Sequence, residues 1–479
     1  MTTTLLKHSA PQIHRDMPYK ECYTEREAVG KSLTSIINSL ELGGTIALTG
    51  EWGSGKTTFL NMWRQDLINQ GFPTVSLNAW ETEWADDPLI AVIACIYSAC
   101  NEDSLSEKQK INNKLKRLLK KPLPILGAIA TSMAEAALSV DVKSVIEKCK
   151  EISSQAFDDE VDSFTERASA MQELKKTLES LAWKVNQGKA DKPLVFIIDE
   201  LDRCKPDYSV RTLEVLKHIF EVKNIVFVCA IDKKHLEDSI RGFYGSERIN
   251  SAEYLRRFFD LEVELPVPNY QMYCDHLYKY YKLDEFFDTP ERIDSVVLSK
   301  DGSIYRTFLA SLANRRHMSL RQIERICAFT KLTLLGKNNR IYFWPGINML
   351  ITYLRFFENS LYQDIRSRRL TIQELLDRLI LVFGDMIDKK PEKSRYDNNN
   401  RRFMLFAIGE VLVSYNCSIP VGETIIINGD SKTTPLKCSI FNQEELLESL
   451  DYATRKTFEY DLSWVLSILD ILKIDESIS

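Results

Sequence analysis

The sequence predicts an α/β fold, a parallel β-sheet covered by helices, with a large helical insertion and a mostly helical C-terminal region. Three observations carry the prediction. Short apolar runs alternate with helical periodicity over 27–88 and again over 192–232. The runs at 43–50, 192–200 and 223–232 are apolar without strict alternation, as strands buried on both faces are. From about 270 onward, apolar residues recur mostly at helical spacing. The chain has 479 residues, 44% apolar and 27% charged, ordinary values for a soluble protein with roughly three domain equivalents.

Residues 1–20 are polar and unpatterned and read as a mobile arm. Val29, Leu33, Ile36, Ile37 and Leu40 then recur at helical spacing. GGTIALTG (43–50) is a short apolar run ending in glycine, a buried strand feeding a loop. Leu60, Trp63, Leu67 and Ile68 continue as a helix that stops near Gly71 and Pro73, and TVSLNAW (74–80) reads as a second buried strand. A long helical insertion, about 88–190, follows. KPLVFIIDE (192–200) and KNIVFVCAID (223–232) are two further buried strands, separated by a helix over 209–221. The expected organisation is an arm over 1–20, an interrupted α/β domain over 21–335, and a helical domain over 336–479. In the last, Asn428-Gly429 marks a small hairpin near 423–432.

The chemistry concentrates at two strand ends. Gly50-Glu51-Trp52-Gly53-Ser54-Gly55-Lys56-Thr57 matches G-x-x-x-x-G-K-[ST] in full, and it follows a predicted strand and opens a predicted helix. Glycines let the backbone curl so that successive N–H groups face a phosphate, and the helix N-terminus adds partial positive charge. Lys56 places a compact cation on the terminal phosphates, while the Thr57 hydroxyl ligates Mg²⁺. The nucleotide-contacting set is therefore Gly50, Trp52, Gly53, Ser54, Gly55, Lys56, Thr57 and Thr58. Such a loop needs a carboxylate at the end of another buried strand, and Leu194–Ile198 leads directly into Asp199-Glu200. Asp199 would hold Mg²⁺, and Glu200 would polarise the attacking water as general base. Together the two motifs, Walker A and Walker B of a P-loop NTPase, point to hydrolysis of a nucleoside triphosphate.

The next strand ends in Ala230-Ile231-Asp232, where Asp232 reads either as a sensor of the γ-phosphate or as the N-cap of the following helix. Arg203, Arg256, Arg257 and Arg321 all lie near predicted element boundaries. Each reads as a surface ion-pairing residue or as a cation for transition-state charge.

Charge and cysteine usage narrow the class. A net charge of −6 leaves no global basic field for nucleic acid, so contact with DNA or RNA would need a local patch. Two candidates are Arg366, Arg368, Arg369 and the stretch Lys389, Lys390, Lys393, Arg395, Arg401, Arg402, each also readable as a solvated surface. The 10 cysteines are scattered without CxxC or zinc-ribbon spacing and read as free thiols in a reducing, cytoplasmic setting. The apolar stretch Leu123–Ala134, preceded by Lys116, Arg117, Lys120 and Lys121, resembles a membrane boundary. It has about a dozen residues against the ~20 needed to span. A single span would also separate two motifs that share one nucleotide, so membrane insertion is not expected.

The pieces GEWGSGKTTFL (50–60), SLNAW…DDP (76–88), the Asp-Glu-Leu-Asp-Arg-Cys run 199–204, AEYLRRFFDLEVELPVP (252–268) and MSLRQIERICAF (318–329) resemble the KAP family of P-loop NTPases over roughly residues 20–335. The resemblance implies ATP and Mg²⁺ as cofactors, the hydrolytic roles for Asp199 and Glu200, and a nucleotide-sensing position for Arg321. Asp202 and Arg203 complete the family's signature run without an evident function. Many members carry transmembrane helices between the two nucleotide motifs; here the insertion offers only the short apolar segment. Bacterial members are often tied to exclusion of bacteriophages as the ATPase of a multi-protein system. The implied partners are other proteins of a defence complex, with oligomerisation that supplies an arginine such as Arg256 or Arg257 to a neighbour. An ATP-binding scaffold with little turnover, or a membrane-associated organiser, stands as the alternative. Residues 336–479 carry no nuclease, deaminase or protease constellation.

Overall fold

The computed structural model describes residues 11–40, 42–85, 192–217, 222–246, 248–295, 298–335, 345–387, 395–416 and 443–455, with a few isolated positions between 88 and 95, 175 and 179, at 219, and between 462 and 467. Nearly all of the insertion, the apolar segment 123–134 and the expected hairpin near 423–432 lie outside the described residues. The described residues fall into two compact units that divide between Val267 and Pro268.

The first unit is built on five parallel strands: β1 (Gly44–Thr49), β2 (Thr74–Asn78), β3 (Leu194–Asp199), β4 (Ile225–Ile231) and β5 (Leu261–Glu264), in the order β2-β3-β4-β1-β5. Its α-helices among the described residues are α1 (Glu27–Ser39), α2 (Lys56–Asn69), α3 (Ala79–Thr82), α4 (Pro206–Lys217), α5 (Lys233–Tyr244) and α6 (Ser251–Leu255). Every residue of β4 is buried, which is why IVFVCAI is apolar without alternation. Side chains of β3 sort by parity onto two faces. Leu194, Phe196 and Ile198 join a cluster with Phe227, Leu213 and Leu236, whereas Val195 and Ile197 join Val226, Ile46, Leu60 and Trp63.

The strand β5 escapes sequence reading. Leu-Glu-Val-Glu is largely exposed at the sheet edge and carries two acids, so it lacks the apolar run that marks the others. Asp260 just before it fixes the register, since its Oδ2 accepts from both the Thr45 N–H and the Thr45 hydroxyl at 2.8 Å. Part of the expected arm is packed: the Tyr19 ring lies against the cluster containing Trp63, and the Asn69 side chain donates to the Arg15 carbonyl at 2.6 Å.

The second unit, from Pro268 onward, is helical in its described residues. Its longer helices include α7 (Tyr270–Tyr280), α8 (Asp301–Arg315), α9 (Leu320–Leu334), α10 (Pro345–Phe357), α11 (Asn359–Arg366), α12 (Ile372–Phe383), α13 (Arg395–Asn416) and α14 (Gln443–Arg455). A buried polar bracket ties α8, α9 and α10. The Tyr305 hydroxyl donates to Thr330 at 2.9 Å, Thr330 to the Asn348 carbonyl oxygen at 2.9 Å, and the Asn348 amide to Thr333 at 2.6 Å. Completing every partner this way is what makes such groups tolerable in a core.

No helix among the described residues is long and apolar enough to cross a membrane. Cys22, Cys95, Cys204, Cys229, Cys274 and Cys327 are free thiols. Burial pushes the thiol of Cys229, in the centre of β4, up to about 12, so it acts there as a small apolar group.

Candidate nucleotide site

The loop from Gly50 to Gly55 leaves the end of β1 and curls into α2 through two left-handed glycines, Gly53 at φ 74° and Gly55 at φ 88°. Any residue with a Cβ is strained in that region. Gly50 is needed for closeness: a Cβ there would stand 3.0 Å from Ser54 Oγ and 3.4 Å from Lys56 Cγ. Gly55 at the N-cap offers no side-chain oxygen to the first turn of α2, so its amides have no cap from that residue. An open helix start of this kind suits an anion.

Lys56 opens α2 and turns back into the loop, donating to the carbonyl of Gly50 and, at 3.3 Å, to that of Glu51. Burial pulls its ammonium below the ordinary lysine value, and the carboxylates of Asp202, Asp232 and Asp199 oppose that fall. The Thr57 hydroxyl lies close enough to the Asp199 carboxylate to favour its charged form, so the two expected Mg²⁺ ligands are neighbours. Hard oxygens of this kind suit that ion. Burial pushes the Asp199 carboxyl above its ordinary range, against the pull of Thr57 and of the Glu200 N–H, which donates to Oδ1 at 2.8 Å. Thr58 follows in the first turn of α2.

Glu200 sits in the left-handed region at φ 61°, uncommon for a residue with a Cβ. Both its oxygens are held. Arg203, one turn on, pairs with Oε1 at 2.7 Å, and the Asn78 amide donates to Oε2 at 3.0 Å. Asn78 ends β2 directly beside Asp199 in register, and its side-chain Oδ1 caps α3 by accepting the Glu81 N–H at 3.2 Å. The general-base candidate is thus fixed by Arg203, which the sequence offered as an ion-pairing residue or a cation, and by Asn78, to which it assigned no role. Asn78 ends a strand-like stretch, TVSLN, but its height beside the Walker B carboxylates follows only from the parallel register.

Asp232 serves two ends. Its Oδ1 caps α5 through the N–H groups of Lys234 and His235, at 3.2 and 3.4 Å. Its Oδ2 accepts the Trp52 N–H at 2.9 Å, which reaches into the loop. A second missed residue is Arg26. It is 2% exposed, and it donates to the Ser54 carbonyl at 2.6 Å and to the Pro266 carbonyl at 2.8 Å.

Among the described residues, two further candidates of the first unit make no contact with the loop residues. Arg256 is exposed at the end of α6 and pairs with Glu253 at 3.3 Å; Arg257 is also exposed. Arg321 belongs to the second unit, exposed in the first turn of α9. Of the two basic clusters, Arg368 donates to the Tyr415 carbonyl at 3.0 Å, Arg401 pairs with Glu445 at 3.0 Å, and Arg402 pairs with Glu448 at 2.5 Å. Those three cations are engaged within the fold. Lys389, Lys390 and Lys393 lie outside the described residues.

A parallel sheet with the phosphate loop after β1, the paired carboxylates after β3 and a strand inserted between them defines a P-loop NTPase fold, a nucleotide-binding class. The family model for the KAP family P-loop domain matches residues 26–334, and the chain belongs to that family. No curated protein matches the chain. The matched span covers the first unit from Arg26 and continues to the end of α9.

Proposed function

We propose that this protein hydrolyses ATP with Mg²⁺ and uses the cycle to switch its conformation, or to drive assembly, among protein partners. The observation that carries the reading is a complete phosphate loop whose Thr57 hydroxyl neighbours the Asp199 carboxylate, with Glu200 as the adjoining residue, its N–H on Asp199 Oδ1. Lys56 would exchange its loop carbonyls for the terminal phosphates, and Glu200 would accept the proton of the attacking water. Thr57 and Asp199 would hold Mg²⁺, which supplies charge neutralisation at the phosphates when bound. For partners, the net charge of −6 and the engaged arginines favour other proteins over nucleic acid. The family's association with bacteriophage exclusion supports a bacterial defence complex as the setting, with arginines such as Arg256 or Arg257 offered to a neighbouring copy and Arg321 as a nucleotide sensor.

Because Arg203 and Asn78 occupy both oxygens of Glu200, the isolated protein is expected to turn over slowly and to accelerate when a partner or oligomer frees the carboxylate. Steady-state phosphate release and nucleotide binding on purified variants test the proposal. Lys56→Ala should abolish binding, while Glu200→Gln should bind ATP normally and lose hydrolysis. Wild-type turnover in Glu200→Gln would remove Glu200 as the base, and an absence of nucleotide binding by the wild type would remove the whole reading.

A further inference from the structure

Trp52 stands at the outermost curve of the phosphate loop, 45% exposed, yet it is attached at three points. Its backbone N–H goes to Asp232 Oδ2 at 2.9 Å, after β4. Its indole N–H goes to Asp202 Oδ2, in the single 3-10 turn Leu201–Arg203 after β3. Its ring stacks on His235 of α5, with centroids 3.7 Å apart and planes 9° from parallel. An exposed aromatic with this much fixation has a conformation to hold.

We propose that Asp202 is a positioning residue for the phosphate loop, acting through the Trp52 indole; the proposal rests on the nucleotide-binding reading above. Asp202 is 5% exposed, and its other oxygen, Oδ1, is buried with no hydrogen-bond partner among the described residues. The indole is therefore the hydrogen bond that satisfies this carboxylate, and the dependence runs both ways. A bond to a charged acceptor in a shielded place is worth more than an exposed one. The turn after Walker B thus holds Walker A by the Asp202–Trp52 bond. Between that tie and Lys56 lie Gly53, Ser54 and Gly55, the turn on which a phosphate would rest. Fixing the loop before the nucleotide arrives removes part of the ordering cost from binding. This gives a function to a carboxylate that the signature run Asp-Glu-Leu-Asp-Arg-Cys contains without explaining.

The test is a double-mutant cycle on the full chain, reading affinity for ATPγS in the presence of Mg²⁺ by calorimetric titration. Trp52→Phe keeps the stack on His235 and deletes only the indole donor; Asp202→Ala deletes the acceptor. Each should weaken binding roughly tenfold, equivalent to about 1.4 kcal/mol. The double variant should be no weaker than the weaker single, since both remove the same bond. Asp202→Asn retains an acceptor oxygen and should stay within about threefold of wild type. Hundredfold, additive loss in the double variant would overturn the proposal. So would an Asp202→Asn affinity as poor as that of Asp202→Ala, which would assign the effect to charge beside Lys56. Should Asp202→Ala not fold, Trp52→Phe decides alone, and unchanged affinity there overturns the proposal. If the wild type binds no nucleotide, the functional reading itself fails and takes this role with it.

Discussion

Replacing Arg26 by alanine offers a direct measure of how far the phosphate loop depends on groups outside its own motif. The guanidinium is almost fully buried and donates to two carbonyls, Ser54 at 2.6 Å and Pro266 at 2.8 Å. Hydrogen bonds from a charged donor are worth about 1.5–3 kcal/mol each, and a carbonyl left buried without a donor carries a cost of similar size. Against that loss stands the relief of no longer burying a cation. A net destabilisation of about 3 kcal/mol follows, and for a unit of this size it corresponds to a fall in melting temperature of roughly 6–12 °C. Because one of the two carbonyls belongs to the loop itself, affinity for ATPγS should fall about tenfold in parallel. Arg26→Lys, which keeps the charge but places its donors on a single nitrogen, should recover part of both. Thermal melts followed by circular dichroism, with titrations below the transition, give the two readouts. A melting temperature within about 2 °C of wild type together with unchanged affinity would refute the reasoning.

Asp199→Asn should separate stability from function. Burial raises the Asp199 carboxyl, so its contribution to folding is complete below the unfolded value and is lost as pH rises through the raised folded value. The amide escapes that loss. The ligand-free variant should melt about 2–4 °C higher at neutral pH, the gain should shrink as pH falls toward the ordinary aspartate range, and Mg²⁺-dependent nucleotide binding should disappear. A lower melting point at neutral pH would contradict the sign. Trp63→Ala probes the support behind the loop. Trp63 is fully buried in α2, and its indole donates to Thr34 of α1 at 3.0 Å. A loss of about 3–5 kcal/mol is expected in urea unfolding, and a loss under 1 kcal/mol would show that the two helices close over the gap.

Much of this site was legible in the sequence, and the reason is specific. The strands β1, β3 and β4 are buried almost throughout, so each is a largely apolar run, and the loop and carboxylates follow two of them directly, whereas β2 at the sheet edge alternates, with Ser76 exposed. The edge strand β5 was hidden because its residues are exposed and half of them acidic. Arg26 and Asp202 were hidden for a different cause. An arginine before an amphipathic helix and a carboxylate in a charged run both read as surface groups, and only contacts across 28, 150 and 240 residues of chain bury them. Of the two roles offered for Asp232, the helix cap is the one the hydrogen bonds display, while its second oxygen takes the Trp52 N–H, a contact across 180 residues that no local pattern marks.

The position of β4 between β1 and β3 sets a length. Neighbouring strands in a sheet are held about 4.8 Å apart, so the strand that launches the phosphate loop and the strand that ends in Asp199 stand roughly 10 Å from one another. That is room for a phosphoryl group and a water molecule in line, with the loop arched over the end of β4. The gauge is made of backbone hydrogen bonds, so exchanging one apolar side chain of β4 for another leaves it unchanged. Only adding or removing a strand would alter it, and then by a whole step. Divergence within the sheet can therefore retune packing and stability freely while the distance across which the reaction would run stays the same.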